Sequence, residues 1–169
     1  MGRASPKTAA VLLLALAAAP SARAQTNASW STCCGPSDPV CVKWSSMVFD
    51  PPAPVAGSTM SVNGSGVVQG PVTNSPLSVG QVNAYLYGLN VFSGPINTCG
   101  ESIIDVLDVT TGVLDALPCP VVAGQRVKLG FVLPIPQEAQ GLGTLNITVN
   151  ATDSSGNLVA FCLDVVATI

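Results

Sequence analysis

From Thr144 to Thr152 the chain alternates without a break. Leu145, Ile147, Val149 and Ala151 fall on one side; Thr144, Asn146, Thr148, Asn150 and Thr152 fall on the other. A period of two describes a β-strand with one buried face. Asp153-Ser-Ser-Gly-Asn157 is turn chemistry, so the chain doubles back as a hairpin and Leu158 to Ile169 forms the return strand. A second clean alternation places Val127, Leu129, Phe131 and Leu133 inward and Arg126 and Lys128 outward. Pro134 and Pro136 stop it, because proline cannot donate to a ladder. Gln137 to Gly143 then reads as loop.

The earlier chain gives shorter signals. Val40 to Phe49 reads as a first strand, with Val42, Trp44 and Val48 at even intervals, and Asp50-Pro-Pro-Ala-Pro54 breaks it. Ser58 to Val68 reads as a second, with Met60 and Val62 facing one way and Ser61, Asn63 and Ser65 the other. Gly64 and Gly66 within it indicate a bulge or a close backbone approach. Val79 to Phe92 reads as one long aromatic-rich strand, kinked at Gly88 and ended by Ser93-Gly-Pro95; neither face can be assigned as inner. Glu101 to Leu117 fits a short helix or a strand pair equally well. Six or more short strands without a strong amphipathic helix predict an all-β fold, a sandwich of two antiparallel sheets.

The first residues carry a different message. Arg3 and Lys7 precede an apolar run, Ala9 to Ala19, and Ala22-Arg23-Ala24 fits a small-x-small cleavage site. Residues 1–24 are expected to be a signal peptide and 25–169 a single domain; a short membrane anchor fits the flanks less well. The expected product is therefore secreted or lumenal. Six cysteines follow the leader: Cys33, Cys34, Cys41, Cys99, Cys119 and Cys162. An even count in that setting predicts three disulfides, and zinc is disfavoured because the chain has no histidine and no Cys-x-x-Cys pair. Asn27, Asn63, Asn146 and Asn150 each begin a glycosylation sequon, and the last three lie on polar strand faces.

Charge and missing residue types narrow the function. Beyond residue 24, three bases (Lys43, Arg126, Lys128) stand against nine acids, a net of −6. Nucleic-acid binding needs a basic face and has none here. The absence of histidine rules out Ser-His-Asp and Cys-His catalysis. The acids between Glu101 and Asp115 fit the solvated side of one segment better than a glycosidase pair. Asn63-Gly-Ser-Gly66 lacks the lysine and helix of a phosphate loop. No catalytic residue, metal site or cofactor is expected. What remains is apolar and β-branched, which by itself describes an ordinary sandwich core.

A succession of features changes that reading: Cys99, Cys119-Pro120, Gly124, the strand Val127 to Leu133, Ile135-Pro136, the strand Leu145 to Val149 and Phe161-Cys162-Leu163. In this order they resemble the ML lipid-recognition family, which includes a small soluble Niemann–Pick type C sterol-transfer protein and fungal phosphatidylglycerol/phosphatidylinositol transfer proteins. Pro51-Pro52, Gly57, Ser65-Gly66 and Tyr87-Gly88 match more loosely. Cys99 and Cys119 stand further apart than is usual there, which marks Glu101 to Leu117 as an insertion. The resemblance implies an immunoglobulin-like sandwich whose sheets splay around an apolar slot for a lipid, sterol or phospholipid. It implies transfer without catalysis, by a monomer in transient contact with a membrane or membrane protein. It puts Val91, Phe92 and Phe131 in the pocket; alternation adds Tyr85, Val127, Leu129, Leu133, Leu145, Ile147, Val149, Phe161 and Leu163. It also implies a Cys99–Cys119 bridge, a bridge from Cys33 or Cys34 to Cys162, and Cys41 joined to the remaining neighbour. The competing expectation is a recognition or adhesion module with a closed core and a protein or glycan partner.

Overall fold

The computed structural model describes residues 28–106, 110–141 and 143–169. The expected leader, the sequon residue Asn27 and residues 107–109 of the insertion lie outside them. The strands are β1 (Ala28–Ser31), β2 (Lys43–Asp50), β3 (Thr59–Val67), β4 (Val79–Leu86) and β5 (Leu89–Asn97). After them come β6 (Glu101–Val106), β7 (Thr110–Asp115), β8 (Arg126–Pro134), β9 (Thr144–Thr152) and β10 (Val159–Thr168). They form two five-stranded antiparallel sheets, ordered β1-β10-β9-β4-β5 and β2-β3-β8-β7-β6. The fold is the all-β sandwich that the alternation predicts.

The two strongest alternations sit where a one-faced strand should. Along β8, Val127, Leu129, Phe131 and Leu133 are buried, and along β9 so are Leu145, Ile147, Val149 and Ala151. Asn63, Asn146 and Asn150 are exposed on the opposite faces. Four expectations fail locally. The chain's first strand is β1, four residues that pair with β10 ahead of the expected start. Val48 points outward and is 60 % exposed, because the β2–β3 register shifts between Trp44 and Ser46. A one-residue shift inverts the faces beyond it, so Met47 and Phe49 pack against the core instead. Val79 to Phe92 is not one strand: Tyr87 and Gly88 both have positive φ (57° and 75°) and turn β4 into β5 as a two-residue hairpin. Pro95 does not end β5, because β5 is an edge strand and tolerates a residue without an N–H. The Glu101–Leu117 insertion resolves as a strand pair, the β6–β7 hairpin on the edge of the second sheet.

The two ends of the sandwich differ. At one end Trp44 of β2 reaches across to Phe161 of β10, edge to face, with ring centroids 6.3 Å apart. Gly64 and Gly66 on the inner face of β3 leave room for Met47 and for that indole. This end is also covalently tied. Cys33 is bonded to Cys162, Cys34 to Cys41 and Cys99 to Cys119. Cys41 precedes the start of β2, and Cys99 follows the end of β5. The other end, where β4, β8 and β10 finish, carries no disulfide among the described residues.

The β9–β10 turn is held by a single buried carboxylate. Asp153 accepts hydrogen bonds from the Ser155 N–H (3.1 Å), the Ser155 hydroxyl (2.6 Å) and the Leu158 N–H (3.2 Å). Burial works to raise its pKa. The Ser155 hydroxyl and the backbone N–H groups of Leu158, Ser155 and Asn157 outweigh that and hold it below the ordinary carboxylate value. A lowered folded pKa contributes stability above the unfolded value, about 3.9, and loses it as pH falls below that. Asp153→Ala should therefore cost about 1.5–3 kcal/mol at pH 7. The gap to wild type should shrink below about pH 4. Urea unfolding at pH 7 and pH 3 reads this directly; an equal gap at both would refute it.

Candidate functional site

The untied end holds an apolar cavity of about 120 Å³ between the sheets. The first sheet supplies Ala84 and Leu86 from β4, Val91 from β5, Leu145 from β9 and Ile169 after β10. The second supplies the end of β8 and the segment that follows, Leu133 to Pro136 with Glu138 and Ala139. Pro134 closes β8, and the chain runs on through Ile135 and Pro136 along the cavity wall. It is pinned by the Gly57 N–H to the Ile135 carbonyl (2.9 Å) and by the Ile135 N–H to the Ser58 carbonyl (2.8 Å). A 3-10 turn, Gln137–Ala139, buries Ala139 and leaves Glu138 exposed at the rim. On the first-sheet side of the opening, the Ile169 N–H donates to the Gly143 carbonyl (2.8 Å), one step beyond the β9–β10 ladder. Tyr87 and Leu89, at the β4–β5 turn, are 69 % and 72 % exposed beside it.

This chemistry is that of containment. The wall is almost wholly apolar, and Glu138 is its one ionisable side chain. Among the described residues no group of histidine, cysteine and acids could hold a metal ion. No described helix is long and apolar enough to cross a membrane.

Of the pocket residues named from the sequence, Val91, Leu133 and Leu145 line the cavity. Val127, Leu129, Phe131, Ile147, Val149, Phe161 and Leu163 are buried in the packed core beyond it. Phe131→Asp would thus test folding rather than ligand uptake. Phe92 is half-buried; its ring lies over Gly94, where an added Cβ would meet Phe92 Cζ at 2.6 Å. Tyr85 does not belong to the inner set. It sits between the inward Ala84 and Leu86 on a regular stretch of β4, so the pleat directs it to the outer face. Alternation misses Ala84, Leu86, Ile135, Ala139 and Ile169. The first two needed the Tyr87-Gly88 turn to fix the face of β4, while the Ile135 loop and the terminal residue have no period to read.

Residues 27–169 match the ML domain. The chain belongs to the ML family. A Niemann–Pick type C2 protein from the Japanese carpenter ant shares the ML fold at 15 % sequence identity, with a TM-score of 0.54 over 83 % of this chain and 98 % of that one. Chicken MD-1, solved in complex with lipid IVa, is 14 % identical, with a TM-score of 0.47 over 83 % of this chain and 88 % of that one. Nothing among the curated proteins matches the sequence.

Proposed function

We propose that this ML domain is a lipid carrier: it holds one lipid, apolar part first, between its sheets and passes it on without chemistry. The apolar cavity at the untied end supports this reading most directly. Ligand pockets commonly measure about 300–1,000 Å³, so a cavity of about 120 Å³ must widen to take a whole lipid. The distribution of bridges permits that: all three disulfides hold the far end, and the sheets can part at the mouth. Burial of each methylene is worth about 0.8 kcal/mol, so a dozen would gain about 10 kcal/mol before the costs of association.

The test is solvent extraction of the purified glycoprotein followed by mass spectrometry. One lipid per chain is expected, or uptake of one after delipidation. A lipid-free protein that refuses loading would favour the closed-core recognition module instead. We further propose a signal-directed, secreted or lumenal monomer glycosylated at Asn63, Asn146 and Asn150. Their exposure on outer faces leaves room for glycans without blocking the cavity. Glycosidase treatment of the same preparation should remove mass at these residues, and unmodified peptides at all three would refute it.

A further inference from the structure

The sign of charge around the mouth bears on which lipid fits. Glu138 lines the cavity rim and is exposed there. Two more acids stand at this end of the sandwich. Asp50, the last residue of β2, pairs with Ser61, which pairs in turn with Val132. Asp105 pairs with Thr111, two residues past the Val113–Val132 pair toward the mouth.

The described cations all lie at the other end. Lys43 is the first residue of β2 and Arg126 the first of β8, and both pair with Val67. Lys128 pairs with Ser65. From Lys128 to Leu133, where the cavity begins, is five residues, or about 17 Å along a strand. Charges at that distance are beyond the screening length of about 8 Å at physiological salt, whereas a headgroup at the rim lies well inside that length of Glu138.

We propose that this placement makes Glu138 a selectivity residue: the site takes lipids with an uncharged polar end, such as a hydroxyl, and rejects anionic headgroups. The proposal rests on the lipid-carrier reading above. A lipid entering tail first leaves its polar end at the rim. A hydroxyl there can donate to the Glu138 carboxylate, a charge-assisted bond. An anionic phosphate in the same place meets a carboxylate and finds no described cation to neutralise it.

The test uses probes that share their tails. The delipidated full-length protein is offered dioleoylglycerol or dioleoylphosphatidylglycerol in neutral carrier vesicles, with cholesterol as a third arm, and the bound lipid is counted by mass spectrometry. Wild type should take up at least one of the two neutral probes about tenfold more than phosphatidylglycerol, and raised salt should narrow the gap. Glu138→Lys should bring phosphatidylglycerol to within about threefold of the neutral probe, with Glu138→Gln between. The melting temperature should hardly move, since Glu138 is exposed. Equal uptake of charged and neutral probes by wild type, or a ratio unmoved in Glu138→Lys, would overturn the proposal while leaving lipid binding intact. Uptake of no probe at all would overturn both readings.

Discussion

Ala84→Phe is expected to reduce lipid uptake at least tenfold while the protein still folds. Ala84 is buried on the inner face of β4, paired with Ile147 on β9 and Phe92 on β5, and its methyl faces the cavity. An aliphatic cavity of about 150 Å³ is large enough to admit benzene. A phenyl ring grown from Ala84 therefore nearly fills the 120 Å³ found here. Overpacking a well-filled core costs typically about 1–3 kcal/mol, but here the ring enters a void, and the contacts it makes offset part of that. A lipid must then displace the ring or enter beside it. A tenfold loss of affinity corresponds to about 1.4 kcal/mol, less than the burial of two methylenes. Calorimetric melting and loading with a fluorescent lipid separate the two effects. Tyr85→Phe, one residue away on the outer face, is the control and should load normally. Wild-type uptake by Ala84→Phe would remove the cavity as the lipid site.

The parts of this fold that can be read from sequence are those where burial is one-sided and the backbone is regular. β8 and β9 are such strands, and Val127 to Leu133 and Leu145 to Ala151 declare themselves. β1 does not, because Ala28-Ser-Trp-Ser31 is too short to show a period. The β4–β5 turn is hidden because a tyrosine, not the usual asparagine or aspartate, occupies the left-handed conformation before Gly88. Val48 misleads because a bulge in β2 has no signature in side-chain chemistry. The cavity is the least legible feature of all. Leu129 and Leu133 share a face and a chemistry, yet one packs in the core and the other faces the void. That difference depends on where the sheets diverge, which the pleat does not encode. The family resemblance implies a slot, and the structure has an apolar cavity at the end away from the disulfides.

Gly66→Ala should destabilise the protein by about 1–3 kcal/mol, whereas Gly64→Ala should be nearly neutral. Both glycines lie on the inner face of β3, in line with Met60 and Val62, and both are buried. Their neighbours differ in what can move. A methyl on Gly64 would meet Met47 Cε and Sδ at 2.7 Å, the far end of a flexible side chain that can turn aside. A methyl on Gly66 would lie 2.7 Å from the Lys43 carbonyl oxygen, 2.8 Å from Val42 Cγ1 and 2.9 Å from Trp44 Cε3. None of these can yield cheaply. The first is backbone, the second belongs to a β-branched side chain, and the third is an indole held against Phe161. Alanine also restricts the unfolded chain, a gain of about 0.4–1 kcal/mol wherever the native backbone accepts it. Neither glycine has the positive φ that would forbid alanine, so this gain applies to both. It is enough to cancel the small repacking around Met47 but not the threefold clash at Gly66. Denaturant midpoints of the two variants give the comparison, and lipid loading of the folded fraction should be unchanged in both, because the plugged end is remote from the mouth. Equal midpoints would mean that β2 can shift away from β3, and that the Trp44 end is not the rigid closure against which the mouth opens.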